Sequence, residues 1–111
     1  MISKLKQLFS KTDTSEKWKN ILELFDQLLQ IEHSPIAALN RVYAFSKVFG
    51  KKEAIAEAEK LKLEENHFYF TLLGELYQGI DDDASKQHFM KALSLARTLA
   101  DKQIIQKKIT D

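Results

Sequence analysis

The sequence contains no cysteine. Disulfides, thiolate nucleophiles and thiolate metal sites are therefore excluded, and a reducing compartment such as the cytoplasm suits the chain. Proline occurs once and glycine three times, so the residues that most often break regular structure are nearly missing. β-branched residues are sparse, which argues against sheet. No apolar run approaches the roughly 18 residues that a membrane helix needs, and no membrane segment is expected. Neither sign of charge dominates: 17 Lys and Arg stand against 16 Asp and Glu, for a net charge of +1. A domain that binds nucleic acid unaided usually carries a basic excess on one face, so direct nucleic-acid binding by this chain alone is not expected. Only the ends lean basic, through Lys4, Lys6, Lys11, Lys17 and Lys19 at one and Lys102, Lys107 and Lys108 at the other. Acids dilute both groups, which read as solvated helix surface. The opening MISKLKQLFSKTD mixes lysines into its apolar residues and offers no cleavage site, so no secretory leader is expected.

What fills the chain instead is Ala, Leu, Lys, Glu and Gln, the strong helix formers. With 111 residues the expectation is a single all-α domain over 1–111. Helices are predicted at roughly 2–9, 15–30, 35–49, 52–61, 66–79, 83–98 and 101–109. Thr14 or Ser15 can cap a segment whose apolar residues Trp18, Ile21, Leu22, Phe25, Leu28 and Leu29 form one helical stripe. Ser34-Pro35 is a start signal, serine as cap and proline at the first helical position. The helix that follows is apolar on two sides, Ile36, Leu39 and Tyr43 on one and Ala38, Val42, Phe45 and Phe49 on the other. Gly50 closes it. Asn66 caps a second two-sided helix, and Asp81-Asp82-Asp83 places carboxylates at the start of the next, where the helix dipole favours them.

Ile36, Leu39 and Tyr43 recur 34 residues later as Phe70, Leu73 and Tyr77. Thirty-four residues is the period of the tetratricopeptide (TPR) helix–turn–helix unit. The second unit reads Phe70, Leu73-Gly74, Tyr77, with Ser85, Phe89 and Ala92 as the inner face of its partner helix. The first has Asn40 where a small residue belongs, and its turn is expected to be about two residues longer. The predicted architecture is TPR-like helical hairpin repeats, about two and a half units in a right-handed helical stack. Flanking helices are required because one hairpin cannot bury its own apolar face.

Chemistry-bearing patterns are missing. His33, His67 and His88 lack HExxH or paired-carboxylate company, so no metal is expected. The aspartate run lacks the alternating ligands and glycine of a calcium loop. Phosphate loops and GxSxG elbows are absent. No catalytic residue, cofactor or small-molecule substrate is predicted, and the chain is read as a non-enzyme. Repeat position instead nominates a concave protein-contact groove: Ala37, Arg41 and Phe45 in one unit, Phe68, Thr71, Glu75 and Gln78 in the next. Arg41 and Glu75 are also 34 apart. They are expected to meet, either as an ion pair across adjacent helices or as a polar rim beside an aromatic patch of Phe45 and Phe68.

Three stretches carry a family resemblance. WKNILELFDQLLQIEHSPIAALNRVYAF resembles the W-x-x-I-x-x-L-[YF]-D-x-L-L…S-P-x-x-A-L-N-R-A segment in the C-terminal extension of certain bacterial extracytoplasmic-function sigma factors. LLGELYQGIDDDASKQHFMKALSLA is similar to that family's G-E-L…A-x-x-x-[YF]-x-x-A-L-x-L-A stretch, and ADKQIIQKKI to its closing segment. The resemblance covers about Trp18 to Ile109, and SPxxALNR is its specific part. Ser34, Pro35, Leu39, Asn40 and Arg41 match that motif, and Gly74 and Glu75 match the G-E-L stretch. The resemblance implies a regulatory extension that acts in transcription initiation through the sigma core, RNA polymerase or a signalling regulator. A stand-alone TPR-like adaptor or co-chaperone unrelated to transcription is the alternative that the residues leave open.

Overall fold

The structure, a computed structural model, describes residues 14–110; the helix expected at 2–9 lies outside them. Among the described residues there are six helices and no strand: α1 (Ser15–Ile31), α2 (Pro35–Phe49), α3 (Lys51–Glu59), α4 (His67–Tyr77), α5 (Asp82–Leu95) and α6 (Leu99–Thr110). None is long and apolar enough to cross a membrane.

Each start has a chemical cause. Thr14 accepts a hydrogen bond from the Lys17 amide at 3.2 Å, and Ser34 Oγ from the Ala37 amide at 3.3 Å, with Pro35 opening α2. Asn66 Oδ1 accepts from the Phe68 amide at 2.9 Å. Asp81 caps α5 through the Ala84 amide, while Asp82 Oδ1 takes the Gly79 amide at 2.8 Å. These side chains satisfy amides that the helix itself leaves unpaired, each cap contributing about 1 kcal/mol. α3, α4 and α5 end two to three residues before the predicted 61, 79 and 98. Their last apolar residues pack in turns and loops rather than in a continuing helix.

Consecutive helices pack on one another along the chain, and α2 also reaches α4. The first core cluster gathers Leu39 and Val42 of α2, Ala54, Ile55 and Ala58 of α3, and Tyr69, Leu72, Leu73 and Leu76 of α4. A second holds Phe89 and Ala92 of α5, Ala96, and Ile105 of α6. Phe70 packs against both. The α4–α5 pair is closest at Gly74, where an added Cβ would lie 2.6 Å from the Phe89 ring. Ser85 Oγ donates to the Gly74 carbonyl at 2.6 Å in the same buried contact.

The first turn differs from expectation. α2 and α3 are separated by Gly50 alone, whereas residues 78–81 separate α4 and α5. The turn is shorter, not longer, because Gly50 sits at φ +95 and ψ 163, a region essentially closed to residues with a Cβ. One residue therefore reverses the chain. The equivalent residues are also unequally buried. Leu39 and Leu73 are both core, but Ile36 and Tyr43 are exposed where Phe70 and Tyr77 are half-buried. His88 of α5 covers the latter two, whereas Tyr43 is covered in part by Trp18 of α1. On α1, Ile21 is buried and Trp18, Leu22, Phe25 and Leu29 are half-buried, while Leu28 is exposed. Trp18 meets Tyr43 edge-on at 5.6 Å, with Lys47 over both rings.

Candidate protein-contact groove

α2 and α4 leave an open cleft of about 400 Å³ between them, lined by Ile36, Leu39, Asn40, Tyr43, Phe68, Thr71, Leu72 and Glu75. Its walls are mostly carbon. Ile36 is 48%, Tyr43 40% and Phe68 48% exposed, so three large apolar side chains face solvent together. Thr71 is held in place because its hydroxyl donates to the His67 carbonyl. Tyr43 and Glu75 also border a smaller adjoining hollow of about 280 Å³ that includes Ser46, Lys47, Lys51, Gln78 and Lys108.

Of the seven nominated groove residues, Phe68, Thr71 and Glu75 line the cleft, and Gln78 lines the adjoining hollow. Arg41 and Phe45 do not, and Ala37 is buried. The α2 wall is instead Ile36, Leu39, Asn40 and Tyr43, one or two residues out of step with the nominated Ala37, Arg41 and Phe45. The cause is the company α2 keeps. Arg41 Nε donates to Asp26 Oδ1 of α1 at 2.6 Å, and its Nη1 to Glu57 Oε1 of α3 at 3.1 Å. Those bonds, with the guanidinium 5.5 Å from the Phe45 ring, turn this face of α2 away from α4.

The expected meeting of Arg41 and Glu75 is therefore wrong. Glu75 pairs with Lys108 of α6. Each charge found its partner away from the α2–α4 line, Arg41 on α1 and α3 and Glu75 on α6. Burial opposes the Arg41 charge, but hydrogen bonds and attraction from Asp26 and Glu57 outweigh it and raise its pKa. Glu57 is held below its ordinary value by hydrogen bonds from Lys60 and then Arg41. Arg41 is thus a clamp joining α1, α2 and α3.

The motif residues divide by role. Ser34 and Pro35 start α2, Leu39 is core, Asn40 lines the cleft, and Gly74 lies beneath Phe89. Lys47 and Lys51 of the smaller hollow escaped sequence reasoning, and Lys108 figured there only as solvated surface, since only the tertiary fold brings α2, α3 and α6 together. The histidines are scattered. His33 precedes the α2 cap, whereas His67 is the first residue of α4, so they are not equivalent. His67 Nε2 stands 3.4 Å from Asp101 Oδ2 without hydrogen-bond geometry. His88 stacks between Phe70 and Tyr77, ring centres 6.0 and 5.1 Å away. Burial pushes its pKa down, partly offset by Glu59. Among the described residues no three His, Asp or Glu side chains form a group that could hold a metal ion. A larger hollow of about 730 Å³ is bounded by residues 62–68, Leu95 and Arg97. Its exposed rim mixes Lys62 and Arg97 with Glu64 and Glu65, and offers no single chemistry.

Searches of protein-family models, curated proteins and solved structures find no significant match to this chain. Among the described residues, fold and geometry define an all-helical arrangement with an apolar cleft beside a hollow lined by three lysines.

Proposed function

We propose that this chain is a TPR-like protein-interaction domain that regulates a bacterial extracytoplasmic-function sigma factor from the cytoplasm. It acts by contacting the sigma core, RNA polymerase or a regulator. The observation that carries the interaction reading is the cleft between α2 and α4, where Ile36, Tyr43 and Phe68 are presented uncovered. Apolar side chains grouped at a surface concavity mark contact sites. The helices that form the cleft hold Leu39 and Leu73, one 34-residue period apart, both in the core; this supports a repeat arrangement. The transcriptional part rests on the resemblance of Trp18 to Ile109, and the structural tasks of Ser34, Pro35, Leu39 and Arg41 are consistent with it.

The test immobilises the purified chain and passes over it, separately, RNA polymerase core and sigma regions two and four. Binding to one of them with Kd of about micromolar or tighter is expected, and Phe68→Asp should abolish it. Binding to none of them would sink the transcriptional assignment, leaving an adaptor for other proteins.

A further inference from the structure

The hollow beside the cleft carries uncompensated positive charge. Lys47 of α2, Lys51 of α3 and Lys108 of α6 all line it, against the single carboxylate of Glu75. Glu75 and Lys108 satisfy one another. Among the described residues Lys47 and Lys51 have neutral partners only: the rings of Trp18 and Tyr43 for one, the Gln78 carbonyl at 3.0 Å for the other. A lysine in the last turn of α2 is favoured by the helix dipole in any case. Lys51 is not, because it is the first residue of α3, where the dipole disfavours a cation. Its position opposes local helix preference and places an ammonium at the mouth of the hollow.

Cleft and hollow adjoin, since Tyr43 and Glu75 border both. From Phe68 to Gln78 along α4 the distance is about 15 Å at 1.5 Å per residue. An extended peptide covers that in about four to five residues. We infer that the groove takes an acidic peptide segment of a partner protein, with a large apolar side chain between Ile36 and Phe68 and a carboxylate four to five residues away between Lys47 and Lys51. This rests on the protein-interaction reading above and names its partner's chemistry.

The test pans a display library of random peptides about 12 residues long against the whole chain. The recovered sequences should be enriched in Asp or Glu spaced from a large apolar residue. A labelled representative is then followed by fluorescence anisotropy. Lys51→Glu should weaken it by at least about tenfold, and so should Phe68→Ser. Raising NaCl from about 50 to about 500 mM should weaken binding to the parent chain far more than to the Lys51→Glu variant. Circular dichroism checks that both variants keep their helices, and Lys47→Gln is the replacement if Lys51→Glu does not. Peptides without acids, or indifferent to the lysine changes yet lost on Phe68→Ser, would overturn the acidic partner and leave the groove. If nothing is recovered, or binding ignores Phe68→Ser, the groove itself falls.

Discussion

An ideal Cβ at Gly74 would stand 2.6 Å from two carbons of the Phe89 ring, and that ring is 2% exposed. Glycine-to-alanine in a helix interior usually gains up to about 1 kcal/mol, whereas overpacking a core costs about 1–3 kcal/mol. Here the neighbour is a rigid ring, and the Ser85 bond to the Gly74 carbonyl keeps α5 from backing away. Gly74→Ala should therefore destabilise by about 1–2 kcal/mol in urea unfolding; equal or greater stability would refute the close approach. Arg41 permits a second test. Its partners are Asp26 and Glu57, and Glu75 has Lys108. Arg41→Ala and Glu75→Ala should add, with a coupling within about 0.5 kcal/mol of zero. Arg41→Ala alone should cost about 1–2 kcal/mol, because it leaves half-buried Glu57 with Lys60 only. A large Arg41–Glu75 coupling would restore the pairing that the sequence suggested.

Between elements, the α4–α5 contact holds a titratable joint. His88 of α5 stacks on Phe70 and Tyr77 of α4, and its folded pKa lies below the ordinary 6.5. The unfolded chain therefore binds the proton more readily than the folded one. The stability that neutral His88 permits is present above about pH 6.5 and is lost as pH falls from there through the folded value. The melting temperature should drop between pH 7 and pH 5, and His88→Phe should flatten that part of the profile relative to the parent. An unchanged slope in the variant would assign the acid sensitivity elsewhere, with the Glu57 carboxylate the next group to test at lower pH. The α2–α3 corner is made differently, one glycine at positive φ making the whole reversal.

Across the described residues, which extend 41 × 30 × 28 Å, one ring packs against both core clusters. The cluster of α2, α3 and α4 and the cluster of α5 and α6 share Phe70 as a common neighbour. In stacked helices each element touches only its neighbours, so stability is nearly a sum of local terms and interface terms. Phe70→Ala should cost about 2–4 kcal/mol and weaken the interface specifically. Trp18 is the single tryptophan and reports the α1–α2 end, whereas far-ultraviolet circular dichroism reports every helix. In the parent chain the two melts should coincide; in Phe70→Ala their midpoints should separate. Coincident melts in the variant would show that the two clusters are tied through other contacts.

Helix class, the caps at Ser34 and Asn66, Thr14 as one of two candidate caps, the acidic start of α5, and the inner face Ser85, Phe89 and Ala92 were legible in the linear chain. They depend on neighbours three or four residues apart, and that spacing is written directly into the sequence. Half of the groove was legible too, since Phe68, Thr71 and Glu75 follow from the periodicity of α4. The α2 half was not. Which face of α2 turns to α4 depends on Asp26, fifteen positions before Arg41, and on Glu57, sixteen after it, and a 34-residue period is blind to both. The cationic hollow was equally hidden, because its lysines stand on three helices that meet only after folding. Local order is a matter of spacing along the chain. The rotation of a helix is decided by whichever neighbours satisfy its charges and cover its carbon, and that only the tertiary structure determines.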